Sequence, residues 1–531
     1  MRRVLALAVI TCIAAGVAAA FAQSAPEAAA PPAAPASRIL LVLPFDNRSG
    51  QGNLEWVREA AAEIVSSRLT SAGYAPMSRA DRLYALDHLG LPQGFQPSRA
   101  SSLKLAQTLD ADCIIVGDYL TDGSDIVAEA RIVDVPHLRM GPLVSAQGEM
   151  RNMIAVFDSL AWKLARQLDP SFSVAEETFV AAGAGLRLDA FEQYIRGITE
   201  PDQSERLRHL KSAVQLSPQL SQAWMALGRE YFVNQEYDQA ATAFSRVQHN
   251  EADALEAGFY RGLSLLYSGS YAGAQKAFAD VALVLPLAEV LNNEGVAISR
   301  RGADGLGQFR QAEAADPNAA DYHFNIAVTL KRRGDAAGAQ AELTQALRMR
   351  PTDTEAQALQ RSWSGQASPD DANPEPLERI ERRFDAVAFR QAAAMMDQMN
   401  AARLAALPPP ERARKMAERA RGYLDRGLLL EAERLYLDAV AVDNSVAEAH
   451  AGLAEVRERT GDAEDARKEA RAALDLAASA QAYLVLGRLD LADNRLSDAR
   501  NEDGEALKLE PGSHAAEELR RAIASREPLK Q

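Results

Sequence analysis

The spacing of proline and alanine constrains the fold of this chain more than any other feature. Pro317 and Pro351 lie 34 residues apart, and so do Ala432 and Ala466. A repeat of this length holds one pair of antiparallel helices. Because a single pair cannot bury its apolar side alone, neighbouring pairs stack into a continuous array. The spacing therefore predicts an α-solenoid over most of the chain.

Residues inside the repeats resemble the tetratricopeptide repeat (TPR) family. The clearest unit matches that family's pattern at Trp224, Leu227, Gly228, Tyr231, Ala240 and Phe244. The resemblance predicts two arrays, over residues 187–363 and 411–526, the second closed by a capping helix over Ser513–Ser525. The predicted units are Asp189–Ser217, Ser221–Ala254, one from Leu255, Ala288–Ala319 and one from Ala320, then Ala413–Val446, Ala447–Ser479 and Ala480–Gly512. Packing explains every matching residue, so none of them is evidence for a ligand.

Ahead of the repeats, residues 39–170 predict a small α/β domain. The apolar runs Ile39–Phe45 and Cys113–Tyr119 indicate buried strands, and the alternation in Ile126–Val133 indicates a half-buried one. Leu43–Gly50 and Leu105–Tyr119 resemble the opening motif and the helix-to-strand segment of the TolB amino-terminal-like domain family. That resemblance implies an exported or regulatory module that binds partners, and it brings no catalytic residues.

The first 22 residues have the pattern of a signal peptide. Arg2 and Arg3 precede an apolar run, and Ala20-Phe21-Ala22 forms a small-residue cleavage site before Gln23. Residues 23–38, rich in Ala and Pro, then read as an extended tether. The alternative is an N-terminal membrane anchor that is not cleaved. The favoured interpretation places the mature chain in the bacterial periplasm or outside the cell.

A linker rich in Pro, Asp, Ser and Gly (364–376) separates the two arrays, and residues 377–410 follow it. The amphipathic pattern of Leu377–Leu407 predicts a long helix ended by three prolines. Packing against an array is the first interpretation of this helix. The second is a homodimer through the 377–407 helix, with contacts at Phe384, Val387, Met395 and Met399. Few contacts are expected across this linker or across Ser173–Leu186, which follows the α/β domain.

The sequence displays no pattern of catalytic or metal-binding residues. The net charge of −15, from 58 Lys and Arg against 73 Asp and Glu, argues against nucleic acid as a partner. No two of the seven histidines have the i, i+4 spacing of a helical metal pair, and no CxxC, Walker A or G-x-S-x-G motif occurs. We therefore expect no enzyme, no small-molecule cofactor and no bound metal.

The TPR resemblance also implies where a partner binds. In that family fixed positions of each first helix line the concave wall. Carried over residue by residue, these positions give Met225, Arg229, Phe232, Phe259, Leu263, Tyr267, Phe324, Val328, Lys331 and Arg332. This groove is apolar and aromatic with a basic end, whereas the counterparts in the second array are charged. We expect it to accept an apolar protein or peptide segment with nearby acidic residues. Alternatively, the neighbouring domain or the Leu377 helix fills it.

Together these features predict a mostly helical α+β protein: a small α/β domain followed by an α-solenoid of TPR helix pairs in two groups. The predicted function is that of an exported, non-enzymatic scaffold that binds protein or peptide partners on its TPR arrays. In this prediction the α/β domain is a second interaction module. The alternatives are a tethered structural component of the cell envelope and an enzyme built on the N-terminal domain.

Overall fold

The computed structural model describes residues 39–92, 99–248, 253–365, 376–384, 399 and 401–526. The predicted leader and tether, most of the predicted linker, and Val387 and Met395 lie outside the described residues. The predicted fold class is confirmed, because a small sheet-containing domain is followed by a long array of paired helices. Within the described part of the chain, no helix is both long and apolar enough to span a bilayer.

Seven strands form one mixed sheet in the N-terminal domain. They are β1 (Ile39–Val42), β2 (Asp46–Asn47), β3 (Ala75–Pro76), β4 (Cys113–Asp122), β5 (Asp125–Asp134), β6 (Arg139–Met140) and β7 (Val144–Glu149). The order is β3-β1-β4-β5-β6, with β2 beside β4 and β7 beside β5. β1 runs parallel to β3 and β4, while β4 and β5 form an antiparallel hairpin around Gly123, whose φ is +61°. The sheet is therefore parallel on one side and antiparallel on the other.

Helices cover both faces of this sheet. They are α1 (Trp56–Ser71), α2 (Arg79–His88), α3 (Arg99–Thr108) and α4 (Met153–Leu168), and the short α5 (Glu176–Gly183) follows them. α1 and α4 share one core with the sheet, where the rings of Phe45 and Phe157 meet edge to face at 5.6 Å. The opposite face buries Leu41 and Ile114 against α2 and α3. Burial on both faces explains why β1 is an unbroken apolar run.

Array 1 consists of five helix pairs and a closing helix. The pairs are α6 (Leu188–Thr199) with α7 (Gln203–Leu216), α8 (Ser221–Val233) with α9 (Tyr237–Phe244), α10 (Ala254–Tyr267) with α11 (Tyr271–Val284), α12 (Ala288–Arg300) with α13 (Leu306–Ala315), and α14 (Ala320–Arg332) with α15 (Ala336–Met349), closed by α16 (Thr354–Trp363). In three successive pairs a first-helix glycine faces a phenylalanine ring. A Cβ on Gly262, for example, would lie 2.7 Å from the Phe278 ring. The close approach of the two helices in a pair thus explains the glycine and phenylalanine positions of the repeat pattern.

Array 2 repeats the same plan with three pairs and a capping helix. The pairs are α17 (Pro409–Asp425) with α18 (Leu429–Val442), α19 (Ala447–Thr460) with α20 (Ala463–Leu476), and α21 (Ala480–Ala492) with α22 (Leu496–Leu509), capped by α23 (His514–Arg526). Its cores are built largely from alanine, as at Ala466, Ala470 and Ala473, all fully buried. Small side chains let these helices pack closely.

The α/β domain packs against both arrays, contrary to the expectation of separate modules. Residues 173–186 are not an open connection, because they contain α5 and bury the ring of Phe179 completely. On the array 2 side, the fully buried Glu433 carboxylate accepts a hydrogen bond from the N–H of Ala175 at 3.2 Å and pairs with Arg457 at 2.6 Å. On the array 1 side, Arg196 donates to the carbonyl oxygen of Asn53. Apolar side chains of the α/β domain, of α5 and of array 1, such as Phe157, Phe179 and Phe191, belong to one continuous buried core.

The predicted helix from Leu377 does not begin there. Residues 376–384 are not helical, and among the described residues that follow them helix is present at 399 and at 401–405, ahead of α17 from Pro409. The reason is that the backbone of 376–384 bonds to side chains of array 1, as described below, instead of to itself. Pro409 and Pro410 occupy the first turn of α17, where a missing N–H costs nothing, so these prolines start a helix rather than only ending one.

Candidate binding groove

Residues Pro376–Phe384 lie across array 1, and we call them the groove segment. They cross the first helices of three consecutive pairs, α14, α12 and α10, and also reach the start of α16. Pro376 lies at the α14 side and Phe384 at the α10 side. We call the helix surface that contacts this segment the array-1 groove. The chain that follows the linker thus occupies the groove, but as a segment that is not helical.

Three asparagine side chains hold the backbone of the groove segment. Asn325 accepts the N–H of Arg379 through Oδ1 at 2.6 Å and donates from Nδ2 to the carbonyl oxygen of the same residue at 2.8 Å. Asn293 makes the equivalent pair with Glu381, at 2.8 and 2.7 Å. Asn292 donates a further hydrogen bond to the Arg379 carbonyl at 3.0 Å. Alternate residues are thus bonded through both backbone groups, as in a β-ladder.

The three asparagines are fully buried and bonded to one another. Asn325 donates to Oδ1 of Asn292 at 2.8 Å, and Asn292 donates to Oδ1 of Asn293 at 3.2 Å. A buried amide without partners costs free energy, and each side-chain amide offers both donors and an acceptor. The N–H and carbonyl groups of the groove segment form hydrogen bonds with those amide donors and acceptors that the neighbouring asparagines do not satisfy. This part of the groove therefore has the chemistry needed to hold a peptide backbone.

Four of the ten sequence-predicted residues contact the groove segment: Phe259, Tyr267, Phe324 and Arg332. They do so in different ways. Arg332 pairs with the carboxylate of Glu378, Phe324 lies beneath the guanidinium of Arg379, and the ring of Phe259 is 5.5 Å from that of Phe384. Phe384 therefore contacts its own chain, and the dimer contact suggested for it stays a prediction.

The other six predicted residues contact array 1 itself: Met225, Arg229, Phe232, Leu263, Val328 and Lys331. Leu263 and Val328 are fully buried between helices. Arg229 pairs with Glu256 at 2.7 Å, and the Lys331 ammonium lies over the ring of Trp363. Positions taken from a repeat pattern thus identify the wall of the array, but do not separate residues that face the groove from those that hold the helices together.

The residues that contact the backbone were missed by the sequence analysis. Asn293 and Asn325 lie 32 residues apart, and each is the sixth residue of its first helix in two consecutive pairs. The signal was available: a polar residue that recurs at a core position of a repeat has no packing explanation. Arg300, Asp321 and Asp353, which meet charged side chains of the groove segment, were missed for a different reason. Charged residues are common throughout this acidic chain.

The corresponding surface of array 2 is charged, as predicted, but its charges pair with one another. A cleft of about 630 Å³ there contains Arg421, Glu455, Glu458 and Arg488. Arg421 lies 2.7 Å from the carboxylate of Glu455, and Arg488 pairs with Glu458. Burial alone would raise the pKa of Glu455, but Arg421 and Arg459 outweigh it and lower that pKa. These charges are already satisfied within the array.

One group of described residues has the composition of a metal site: Glu313, His323 and Glu342. The His323 ring lies 2.7 Å from Glu342 and 3.4 Å from the carbonyl oxygen of Pro317. Array 2 repeats this arrangement, with His450 bonded to Glu469 at 2.6 Å and to the Asn444 carbonyl at 3.1 Å. A bridge between the two helices of a pair, present in both arrays, is explained as a structural contact.

Comparisons with known proteins found similarity among solved structures only. No protein-family model and no curated protein matches this chain. Among solved structures, it is similar to YrrB, described as a TPR protein with an unusual peptide-binding site, at 17% identity over 38% of this chain and 99% of that one, with a TM-score of 0.29. It is also similar to MamA, at 14% identity over 30% and 96% of the two chains (TM-score 0.28), and to MamA 41-end from Desulfovibrio magneticus RS-1, at 18% over 34% and 99% (TM-score 0.28). The helix pairs themselves define the class: a solenoid of antiparallel helix pairs with a small α/β domain packed against it.

Proposed function

We propose that array 1 binds an extended segment of a partner protein and that the chain acts as a non-enzymatic scaffold. One observation carries this proposal: buried asparagines of two consecutive repeats hold the backbone of an extended segment through five hydrogen bonds. Recognition through backbone groups requires an extended chain but no particular side chain. The groove-facing residues Phe259, Phe324 and Arg332 are proposed to contact the partner as they contact the groove segment.

The binding surface is formed before a partner arrives. The three asparagines lie on helices that are themselves fixed by buried cores on either side, as at Phe278 and Phe309. A preformed surface avoids much of the ordering cost of association. The partner bears that cost instead, since it has to adopt an extended conformation. This favours a partner segment that is unstructured before it binds.

The test uses a labelled probe peptide with the sequence Pro-Leu-Glu-Arg-Ile-Glu-Arg-Arg-Phe, a copy of residues 376–384. The full-length chain carrying Arg379→Glu is its receptor, because a glutamate there would face the carboxylates of Asp321 and Asp353 and release the groove segment. We call this variant the groove-open chain. Saturable binding, measured by fluorescence anisotropy, is the expected result.

A matched pair of modified peptides tests whether the backbone is what the groove recognises. N-methylation at the positions of Arg379 and Glu381 removes the two N–H donors and should cost about 2 kcal/mol, or about 30-fold in affinity. N-methylation at the position of Leu377, whose side chain is mostly exposed, should have little effect. Equal affinities for the two modified peptides, or no binding of the unmodified probe, would refute the proposed function.

We further propose that the scaffold is exported to the periplasm and that its α/β domain is the TolB-like module suggested by the sequence. The proposed leader and cleavage site support export. The contacts of α5 with Glu433 support a role for the domain in fixing array 2. Mass analysis of the protein from a periplasmic fraction tests export: a chain beginning at Gln23 is expected, and one that retains Met1 in the membrane fraction would contradict it.

A further inference from the structure

The first side-chain pocket of the groove accepts an acidic group. Only 1% of the Glu378 side chain is exposed, and its carboxylate lies between the guanidinium groups of Arg300 and Arg332. Arg300 Nε is 3.4 Å from the carboxylate, and Arg300 also donates to the Glu378 carbonyl oxygen at 3.3 Å. The Arg300 and Arg332 side chains are 23% and 34% exposed, but both guanidinium groups converge on this one buried carboxylate, so the pocket selects an anionic side chain.

The adjacent pocket accepts a planar cation. The guanidinium of Arg379 lies over the ring of Phe324, with Cζ 3.6 Å from the ring centroid. Asp321, Asp353 and Glu355 surround it, at 2.8, 2.9 and 2.8 Å from its terminal nitrogens. Burial would raise the pKa of Asp353, but hydrogen bonds from Arg379 and from a backbone N–H outweigh it and lower that pKa. Stacking and forked hydrogen bonds together favour arginine over lysine.

Beyond Arg379 the segment makes apolar contacts, together with a hydrogen bond between Arg382 and Tyr267. Ile380 and Phe384 both pack against the buried cluster that contains Phe259 and Phe278. The Tyr260 hydroxyl also bonds to the backbone of Phe384, which fixes the end of the segment. Leu377, in contrast, is 55% exposed. The groove thus contacts three adjacent side chains of the segment, which are acidic, basic and apolar in that order. It also contacts an aromatic side chain four positions after the apolar one.

We infer that the partner of array 1 carries an extended segment with this order, acidic, basic, apolar, three intervening residues and aromatic, and that it competes for the groove with the chain's own copy at residues 378–384. This inference rests on the function proposed above. The charges of the pockets determine the order: a basic residue in the first position would face Arg300 and Arg332, and an acidic one in the second would face Asp321 and Asp353.

The groove segment has an advantage over any partner, because it belongs to the same chain. It follows α16 after a short connection, and short connections of this kind give local concentrations in the millimolar range. A partner at micromolar concentration therefore competes with a segment that is always present. A partner therefore displaces the segment only if its affinity for the groove is high or its local concentration is high.

Competition is tested by titrating the probe peptide into full-length chains. The probe should bind the wild-type chain at least about tenfold more weakly than the groove-open chain. Arg403→Glu, a charge reversal at an exposed position beyond the groove segment, is the matched control and should behave as wild type. Circular dichroism checks that each chain is folded, and Glu378→Lys is a second way to release the segment. Equal affinity of the wild-type and both released chains would overturn the inference while leaving the proposed function intact.

The order of residues is tested with variant peptides on the groove-open chain. Glu→Lys at the position of Glu378 and Arg→Glu at that of Arg379 should each weaken binding at least about tenfold. Leu→Ala at the position of Leu377 should leave the affinity unchanged. Charge-reversed peptides that bind as well as the probe would overturn the proposed order. Absence of binding by every peptide, including the probe, would instead refute the proposed function.

Discussion

Asn325→Ala is the most informative single change in the groove. It removes the acceptor of the Arg379 N–H, at 2.6 Å, and one donor to the carbonyl oxygen of the same residue, at 2.8 Å. Each such hydrogen bond contributes about 1 kcal/mol net, and a buried N–H left without an acceptor costs about 1–3 kcal/mol. The carbonyl keeps the hydrogen bond from Asn292, which limits the loss. We therefore expect a total of about 2–3 kcal/mol, or roughly 30- to 150-fold in affinity.

The assay is titration of the labelled probe peptide into the groove-open chain with and without Asn325→Ala. Asn318→Ala is the matched control, because Asn318 is exposed in the turn before α14 and its substitution should change the affinity less than about twofold. The Asn325 variant should keep the helical circular dichroism of its parent, although the loss of its hydrogen bond to Asn292 should lower the melting temperature. A loss below about threefold would refute the argument that side-chain amides provide the backbone recognition.

Three further predictions concern stability. Gly262→Ala should lower the free energy of unfolding, measured by chemical denaturation, by about 1–3 kcal/mol, because the new Cβ would press on Phe278. Gly504→Ala is the control: the space around Gly504 is open, so this change should raise the free energy of unfolding by up to about 1 kcal/mol. Burial raises the pKa of Glu63 from 4.5 to about 7, so the folded state binds its proton more tightly and the free energy of unfolding should fall as pH rises between these values. Glu63→Gln should reduce that dependence and leave the part that Asp158 contributes, whose pKa burial raises to about 6. Glu433→Ala should cost about 3 kcal/mol and speed proteolysis within residues 173–186; unchanged cleavage would contradict the packing of α5 on array 2.

The repeat architecture was predictable because its physical cause is local. A 34-residue period and paired small and aromatic residues, such as Gly262 and Phe278, specify how two helices of one unit pack. The strand alternation in Ile126–Val133 was predictable for the same reason: burial on one face repeats every second residue. In each case neighbours in sequence determine the pattern.

The groove segment was not predictable in this way. Leu377, Ile380 and Phe384 have the spacing of a helical face, and a helix was the natural inference from them. The backbone is extended because Asn293 and Asn325, far away in sequence, offer it better hydrogen-bond partners than a helix turn would. Tertiary contacts override local propensity here, and the periodicity of a single sequence does not reveal such contacts.

Amide hydrogen exchange of the full-length wild-type chain tests directly whether residues 376–384 occupy the array-1 groove. The amides of Arg379 and Glu381, which donate to Asn325 and Asn293, should exchange at least about 100-fold more slowly than the amide of Leu377. The same two amides should lose this protection in the chain carrying Asn293→Ala and Asn325→Ala. Equal and fast exchange at all three positions of the wild-type chain would show that the segment does not occupy the groove, and would contradict the account.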